Sequence, residues 1–144
     1  MRRALSMAKR CAKRDEVPVG AVLVRDGKVI ACAGNTRQNS HDPCGHAEIN
    51  ALRRAAKRLG GWNLHHCTLY VTLEPCPMCA GACVNARIER IVYAAADGKA
   101  GACGSVMDLT KGLNHCPEVC SGVLKEQSVE LLQQFFKQKR QKKH

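Results

Sequence analysis

Two β-branched runs, Val17–Val24 (VPVGAVLV) and Lys28–Gly34 (KVIACAG), are joined through Arg25-Asp26-Gly27-Lys28, and that junction constrains the fold more than any other feature of the chain. An Asp-Gly step between alternating apolar runs specifies a tight hairpin, so the chain begins its sheet with two antiparallel strands. Strand and helix patterns then alternate. Residues 47–59 (AEINALRRAAKRL) place Ile49, Leu52, Ala56 and Leu59 on one stripe, with Arg53, Arg54, Lys57 and Arg58 elsewhere and Gly60-Gly61 as the stop. Residues 68–73 (TLYVTL) read as a third strand, 76–86 (CPMCAGACVNA) as a second interior helix rich in small residues, and 88–96 (IERIVYAAA) as a fourth strand. Residues 117–124 (PEVCSGVL) read as a short fifth strand. Residues 125–141 read as a terminal helix whose packing face is Leu131, Leu132, Phe135 and Phe136. Ahead of the hairpin, residues 4, 5, 8, 11 and 12 form the stripe of a first helix. A β-β-α-β-α-β order predicts an α/β fold, a mixed five-stranded sheet flanked by helices with its functional residues at strand-to-helix turns.

A chain of 144 residues fits one domain, expected to span 1–144 with a basic terminal helix or tail over about 125–144; there is no internal repeat or Gly/Ser linker. A domain of this size builds a core without disulfides, so its ten cysteines fit a reducing, cytoplasmic compartment. The first 16 residues carry charges too closely spaced for a secretory signal or a membrane span. An Arg-rich start also imitates a mitochondrial presequence, but the stripe leading straight into a strand favours a helix of the mature fold. The formal charge of +11 gathers at the front (Arg2, Arg3, Lys9, Arg10, Lys13, Arg14) and at the end (Lys137, Lys139, Arg140, Lys142, Lys143). Such a field attracts a polyanion, nucleic acid first among them; two solvated helix faces are the plainer alternative.

The chemistry resides in two segments. Residues 41–48 (HDPCGHAE) contain His46 and Glu48, and residues 72–81 (TLEPCPMCAG) contain Cys76 and Cys79. One imidazole and two thiolates make a three-ligand zinc site whose fourth position stays open for water, the arrangement of a catalytic site. Cys76 and Cys79, at i and i+3, share one face at a helix start, where the helix dipole favours thiolate. His46 and Glu48 are two apart, so they cooperate only if His46 stands at the very beginning of its helix, outside helical geometry. Zinc makes hydroxide available at neutral pH, and Glu48 is placed to carry its proton to a ring nitrogen and then to a departing amine. The reaction described is hydrolytic deamination of an amino-substituted heterocycle. Taken singly, a CxxC is as well a redox pair and a histidine as well a structural residue; their conjunction with Glu48 decides for zinc.

The HAE and PCPMC segments resemble the H-x-E and P-C-x-x-C signature of zinc nucleobase deaminases. Residues 8–24, GNTRQNSHDPCGHAEINALR, VTLEPCPMCAGACVNARIERIVYAAADGKAGACGSVMDL and LNHCPEV are more narrowly similar to the bacterial tRNA-specific adenosine deaminases, over nearly the whole chain. That resemblance implies one Zn2+ per subunit on His46, Cys76 and Cys79, with Glu48 as proton shuttle. It further implies that Asn35 reads the base edge with help from the backbone of Ala47. The implied fold is the cytidine deaminase-like three-layer α/β/α sandwich, usually a homodimer. The implied substrate is the anticodon stem-loop of a tRNA, with adenosine converted to inosine at the wobble position. Asp97 borders the nucleic-acid groove in that family and reads equally as a turn residue. Lys137, Lys139 and Arg140 are the expected contacts to RNA phosphate. Glu74 either helps orient the ligands or binds backbone amides. Cys116 and Cys120 beside His115 lack a fourth partner for a second metal. Cys11, Cys32, Cys67, Cys83 and Cys103 are expected as small buried apolar residues, whereas Cys44 is expected near the pocket. Two rival functions remain: a deaminase of a free base or nucleoside, and a zinc-stabilised nucleic-acid-binding module without turnover.

Overall fold

The computed structural model describes residues 1–143; His144, the last residue of the expected basic tail, lies outside them. Four helices, α1 (Arg2–Lys13), α2 (Ala47–Leu59), α3 (Pro77–Asn85) and α4 (Lys125–Lys142), surround five strands, β1 (Gly20–Arg25), β2 (Lys28–Gly34), β3 (Cys67–Leu73), β4 (Arg90–Ala95) and β5 (Glu118–Cys120). The sheet order is β2-β1-β3-β4-β5. β1 runs antiparallel to β2 and β3, and β3, β4 and β5 run parallel. Helices α1 and α4 cover one face and α2 and α3 the other, giving three layers.

Local chemistry explains the hairpin. Asp26 and Gly27 both adopt positive φ, 51° and 75°, the backbone that twists with the flanking strands. β1 begins three residues later than its apolar run, because Pro18 has no N–H to give to a ladder. Val17 and Val19 are thereby released to line a cavity at the end of the sheet. Alternation along the strands divides the interior. Ala21, Leu23, Leu69, Val71, Ile91 and Tyr93 join the larger core under α2 and α3, while their neighbours in sequence Val22, Val92 and Ala94 are buried on the other face.

Helix α1 lies unusually close to the sheet, with Ala4, Leu5, Ala8 and Cys11 buried, in agreement with the predicted stripe. The reason is a glycine pair. Gly20 and Gly34 are cross-strand partners. A Cβ on Gly20 would sit 2.0 Å from the Ala4 carbonyl oxygen, and one on Gly34 would sit 2.3 Å from the Cys11 sulfur. Side chains at either position would lift the helix off the strands.

Two expected faces are corrected. The buried face of α2 is Ala47, Glu48, Ala51, Leu52 and Ala55. Ile49, Ala56 and Leu59 are half-buried at its flank. Small residues let the helix backbone approach the sheet, so the alanines go inward and the larger apolar groups go to the side. On α4, Ser128 and Phe135 are buried. Phe136, expected on the packing face, is 44% exposed, resting edge-on against Phe135 at 5.4 Å. Ser128 donates to the Thr72 carbonyl at 2.6 Å, which fixes that side of the helix against β3 and turns Phe136 outward. Edge strand β2 is shielded by α2: Arg54 donates to the Cys32 carbonyl and Arg58 to those of Val29 and Ile30.

Candidate metal centre and active site

The two interior helices point their N-termini at one place. His46 is the N-cap of α2, with extended backbone at φ −77° and ψ 152°. That non-helical geometry is what a cooperating His46 and Glu48 require. The entry is a compact loop in which the Thr36 amide bonds the Gly45 carbonyl and the Gly45 amide bonds the Asp42 carbonyl. Cys76 is the N-cap of α3, also extended, and Pro77 occupies the first helical position, where its missing N–H costs nothing.

The donor atoms converge. The His46 Nδ1 atom lies 3.6 Å from Cys76 Sγ and 3.4 Å from Cys79 Sγ. A tetrahedral zinc with sulfur at about 2.3 Å and nitrogen at about 2.0–2.1 Å separates N from S by about 3.6 Å, so the three residues fit such an ion. Among the described residues they are the one group of three donors close enough to hold a metal. Cys79 is fully buried and Cys76 partly so.

Electrostatics reinforce the arrangement. Hydrogen bonding from Cys79 and then from His46 draws the Cys76 thiol down to about 4, so it is a thiolate at neutral pH. The shared proton stays on Cys79, whose thiol is pushed up by that same bond and by burial. The bond to Cys76 raises His46 above its ordinary value. Glu48 is raised to about 7, chiefly because burial disfavours its charge. A carboxyl poised there both takes and gives a proton at neutral pH.

Alongside is a cavity of about 200 Å3, smaller than the roughly 300–1,000 Å3 of sites for drug-sized ligands. His46, Ala47, Glu48 and Cys76 form one wall, and Asn35, Val17, Val19, Leu73 and Asp97 close the rest. Asn35 is buried and held by the Arg37 amide, which donates to its Oδ1 at 3.0 Å. Asp97 lines the cavity and also accepts from the Lys99 and Ala100 amides, the hydrogen bonds of a turn residue. The basic residues of α4 stand apart from this cavity. Lys137 and Arg140 are exposed, and Lys139 pairs with Asp15 at 2.7 Å. His115 bonds the Ile88 carbonyl at 2.7 Å, and Cys116 and Cys120 are exposed. Cys44 is exposed; Cys11, Cys67, Cys83 and Cys103 are buried as expected, but Cys32 is only half-buried.

Two buried carboxylates frame the site. Glu16, which carried no signal in the sequence, accepts from the Gln38 amide at 3.0 Å and the Asn39 amide at 2.7 Å, pinning the loop that leads to His46. Glu74 accepts from the amides of Asp97 (3.0 Å), Cys103 (3.0 Å) and Ser105 (3.1 Å) and from the Ser105 hydroxyl. It therefore organises the loop carrying Asp97, not the cysteine turn beside it. Burial opposes its charge, but the Ser105 hydroxyl and those amides outweigh it and hold the carboxyl below its ordinary value. Glu74→Gln sets an NH2 group against N–H donors, and the expected loss is about 1–3 kcal/mol of stability. The displaced loop raises KM more than it lowers kcat; urea unfolding and steady-state kinetics check the two effects.

A three-layer sandwich with a His–Cys–Cys donor set and a buried carboxyl beside a base-sized cavity defines a deaminase. The chain belongs to the MafB19-like deaminase family, whose model matches residues 1–140. It is 47% identical to the tRNA-specific adenosine deaminase of Bacillus subtilis, over 99% of this chain and 90% of that protein. It superposes with a TM-score of 0.89, at 46% identity over 92% of this chain and 97% of the other, on a structure from work on A-to-I editing by tRNA:A34 deaminases at the wobble position of transfer RNA. A guanine deaminase from Bacillus subtilis gives a TM-score of 0.63 at 43% identity, over 66% of this chain and 61% of the other.

Proposed function

We propose that the protein is a zinc-dependent deaminase that converts adenosine to inosine at the wobble position of a tRNA anticodon loop. The observation that carries this reading is the meeting of His46, Cys76 and Cys79 at tetrahedral spacing beside buried Glu48, in a chain alike from end to end to tRNA-specific adenosine deaminases. Zinc held there supplies the Lewis acidity that makes water nucleophilic at neutral pH.

The chain's own residues do the rest. Val17, Val19 and Leu73 give the base apolar surroundings and exclude bulk water. Asn35 offers its amide to the base edge, and Ala47 lends its backbone from the first turn of α2. Glu48 accepts a proton from the attacking water and delivers it to a ring nitrogen so that the neighbouring carbon becomes electrophilic. It then takes the second proton from the hydroxyl added to that carbon and gives it to the departing amine, which leaves as ammonia while the carbonyl forms. A base already splayed from an anticodon loop costs little to extrude into such a cavity. Lys137, Lys139 and Arg140 belong to this reading as contacts to RNA phosphate, with Lys139 exchanging its Asp15 partner for the nucleic acid.

A homodimer is part of the same reading. The supporting surface is the apolar groove between α2 and α3, where Ile49, Leu52 and Ala82 lie beside Trp62, itself 65% exposed. Ten unpaired thiols fit a reducing cytoplasm, and no described helix is long and apolar enough to cross a membrane.

The similarity to a guanine deaminase supports a second reading, a free purine as substrate. Zinc-loaded protein is incubated with an adenosine-containing anticodon stem-loop and, separately, with free adenosine, cytosine and guanine. Inosine in the stem-loop is expected. Ammonia from free guanine with an unchanged stem-loop overturns the RNA reading in favour of the second.

A further inference from the structure

A second cleft, of about 230 Å3, shares Asn35 as a wall with the catalytic cavity. It forms because β2 is the edge strand and ends at Gly34, so that side chains of α1 from one face and of α2 from the other line the space past the sheet edge. Arg10 and Arg14 reach it from the end of α1, Arg54 from the middle of α2, and Thr36 from the loop between β2 and α2.

The charge balance of this cleft is one-sided. Among the described residues, none of the three arginines is ion-paired with a carboxylate. The two acids nearest along the chain are committed elsewhere. Asp15 is bound to Lys139, and both Glu16 oxygens accept loop amides. Thr36 Oγ1 accepts from Asn50 Nδ2 at 3.0 Å, which leaves its O–H free to donate. Three arginines and a hydroxyl donor thus line one concavity of about 230 Å3, none of the arginines ion-paired with a carboxylate among the described residues. Planar guanidinium forks match phosphate oxygens with paired hydrogen bonds, and their mutual repulsion is relieved when an anion enters.

We propose that this cleft binds a backbone phosphate of the RNA next to the nucleotide whose base fills the catalytic cavity, an inference that rests on the RNA-deaminase reading above. Arg37 links the two places, since it lines the catalytic cavity and its amide holds Asn35. A strand that inserts one base beside Asn35 and continues past Arg37 meets Arg10, Arg14 and Arg54 next. The cleft thus sets which direction the strand leaves the site, a role that a diffuse basic surface does not perform.

The test uses the full chain, zinc-loaded and carrying Glu48→Gln so that RNA is bound but not consumed. Affinity for a labelled anticodon stem-loop is measured between 50 and 200 mM salt in that parent and with Arg14→Gln, Arg54→Gln or both, Lys57→Gln serving as a charge-matched change on α2 outside the cleft. Arg54 also bonds the Cys32 carbonyl, so Arg54→Lys, which keeps the cation, reports any loss of fold. The expected result is a roughly tenfold rise in Kd for each glutamine variant at low salt and a salt slope lower by about 0.7 per lost contact, with Lys57→Gln close to the parent. Glutamine variants with the parent's Kd and slope, or changed no more than Lys57→Gln, overturn the cleft while wild-type inosine formation leaves the deaminase reading standing. A wild-type protein that neither binds nor edits the stem-loop overturns both.

Discussion

Glu48→Gln lowers kcat on RNA by about 10²–10⁴-fold while zinc content and RNA affinity stay at their wild-type values. The amide keeps the size and one acceptor oxygen of the carboxyl but cannot shuttle a proton between water, ring nitrogen and leaving amine. Near wild-type turnover in this variant rules out the proton carrier assigned to it. The same substitution has an opposite effect on stability. In the metal-free fold the Glu48 carboxyl titrates at about 7 because burial disfavours its charge, against 4.5 when unperturbed. The folded state therefore holds its proton more tightly than the unfolded one. The stability this gives is complete below about pH 4.5 and is lost as pH rises through about 7. Above that range the buried charge costs on the order of 3 kcal/mol. Chelator-treated Glu48→Gln is expected to resist urea better than chelator-treated wild type at pH 8, and to match it at pH 4.5. Equal urea midpoints at pH 8 would remove burial as the source of the raised value. A residue that destabilises the fold and yet carries the proton transfers is the trade expected of an active-site group.

Removing a metal donor has the second large effect. Cys79→Ala takes away a buried sulfur at the third position of α3, where alanine suits the helix, so the chain folds but its zinc content falls from one ion per chain towards none, and turnover falls with it. Chelation lowers the melting temperature of the wild type and leaves that of Cys79→Ala unmoved, because only a folded state that binds the ion is stabilised by it. Added zinc restores the wild type after chelation and fails to restore the variant. Full metal content in Cys79→Ala removes that sulfur from the donor set.

The linear sequence determined the parts. Asp26-Gly27 specified the hairpin, alternating periodicity ordered the strands and helices, and HAE with PCPMC named the donors and the carboxyl, because each depends on spacing within one turn or one strand. Even the need for His46 to precede its helix followed from the two-residue gap to Glu48. Tertiary structure alone decided what those parts meet. Burying the alanine face of α2 in place of its larger apolar stripe depended on the sheet that helix must approach, as the close seat of α1 on the other face depended on the Gly20–Gly34 pair. The roles of Glu16 and Glu74 depended on amides more than twenty residues away, and the placing of Arg10, Arg14 and Arg54 around one cleft depended on the sheet ending at β2. Contacts between distant segments leave no periodic trace along a chain, so carboxylates and guanidinium groups that close a site look, in sequence, like any other surface charge.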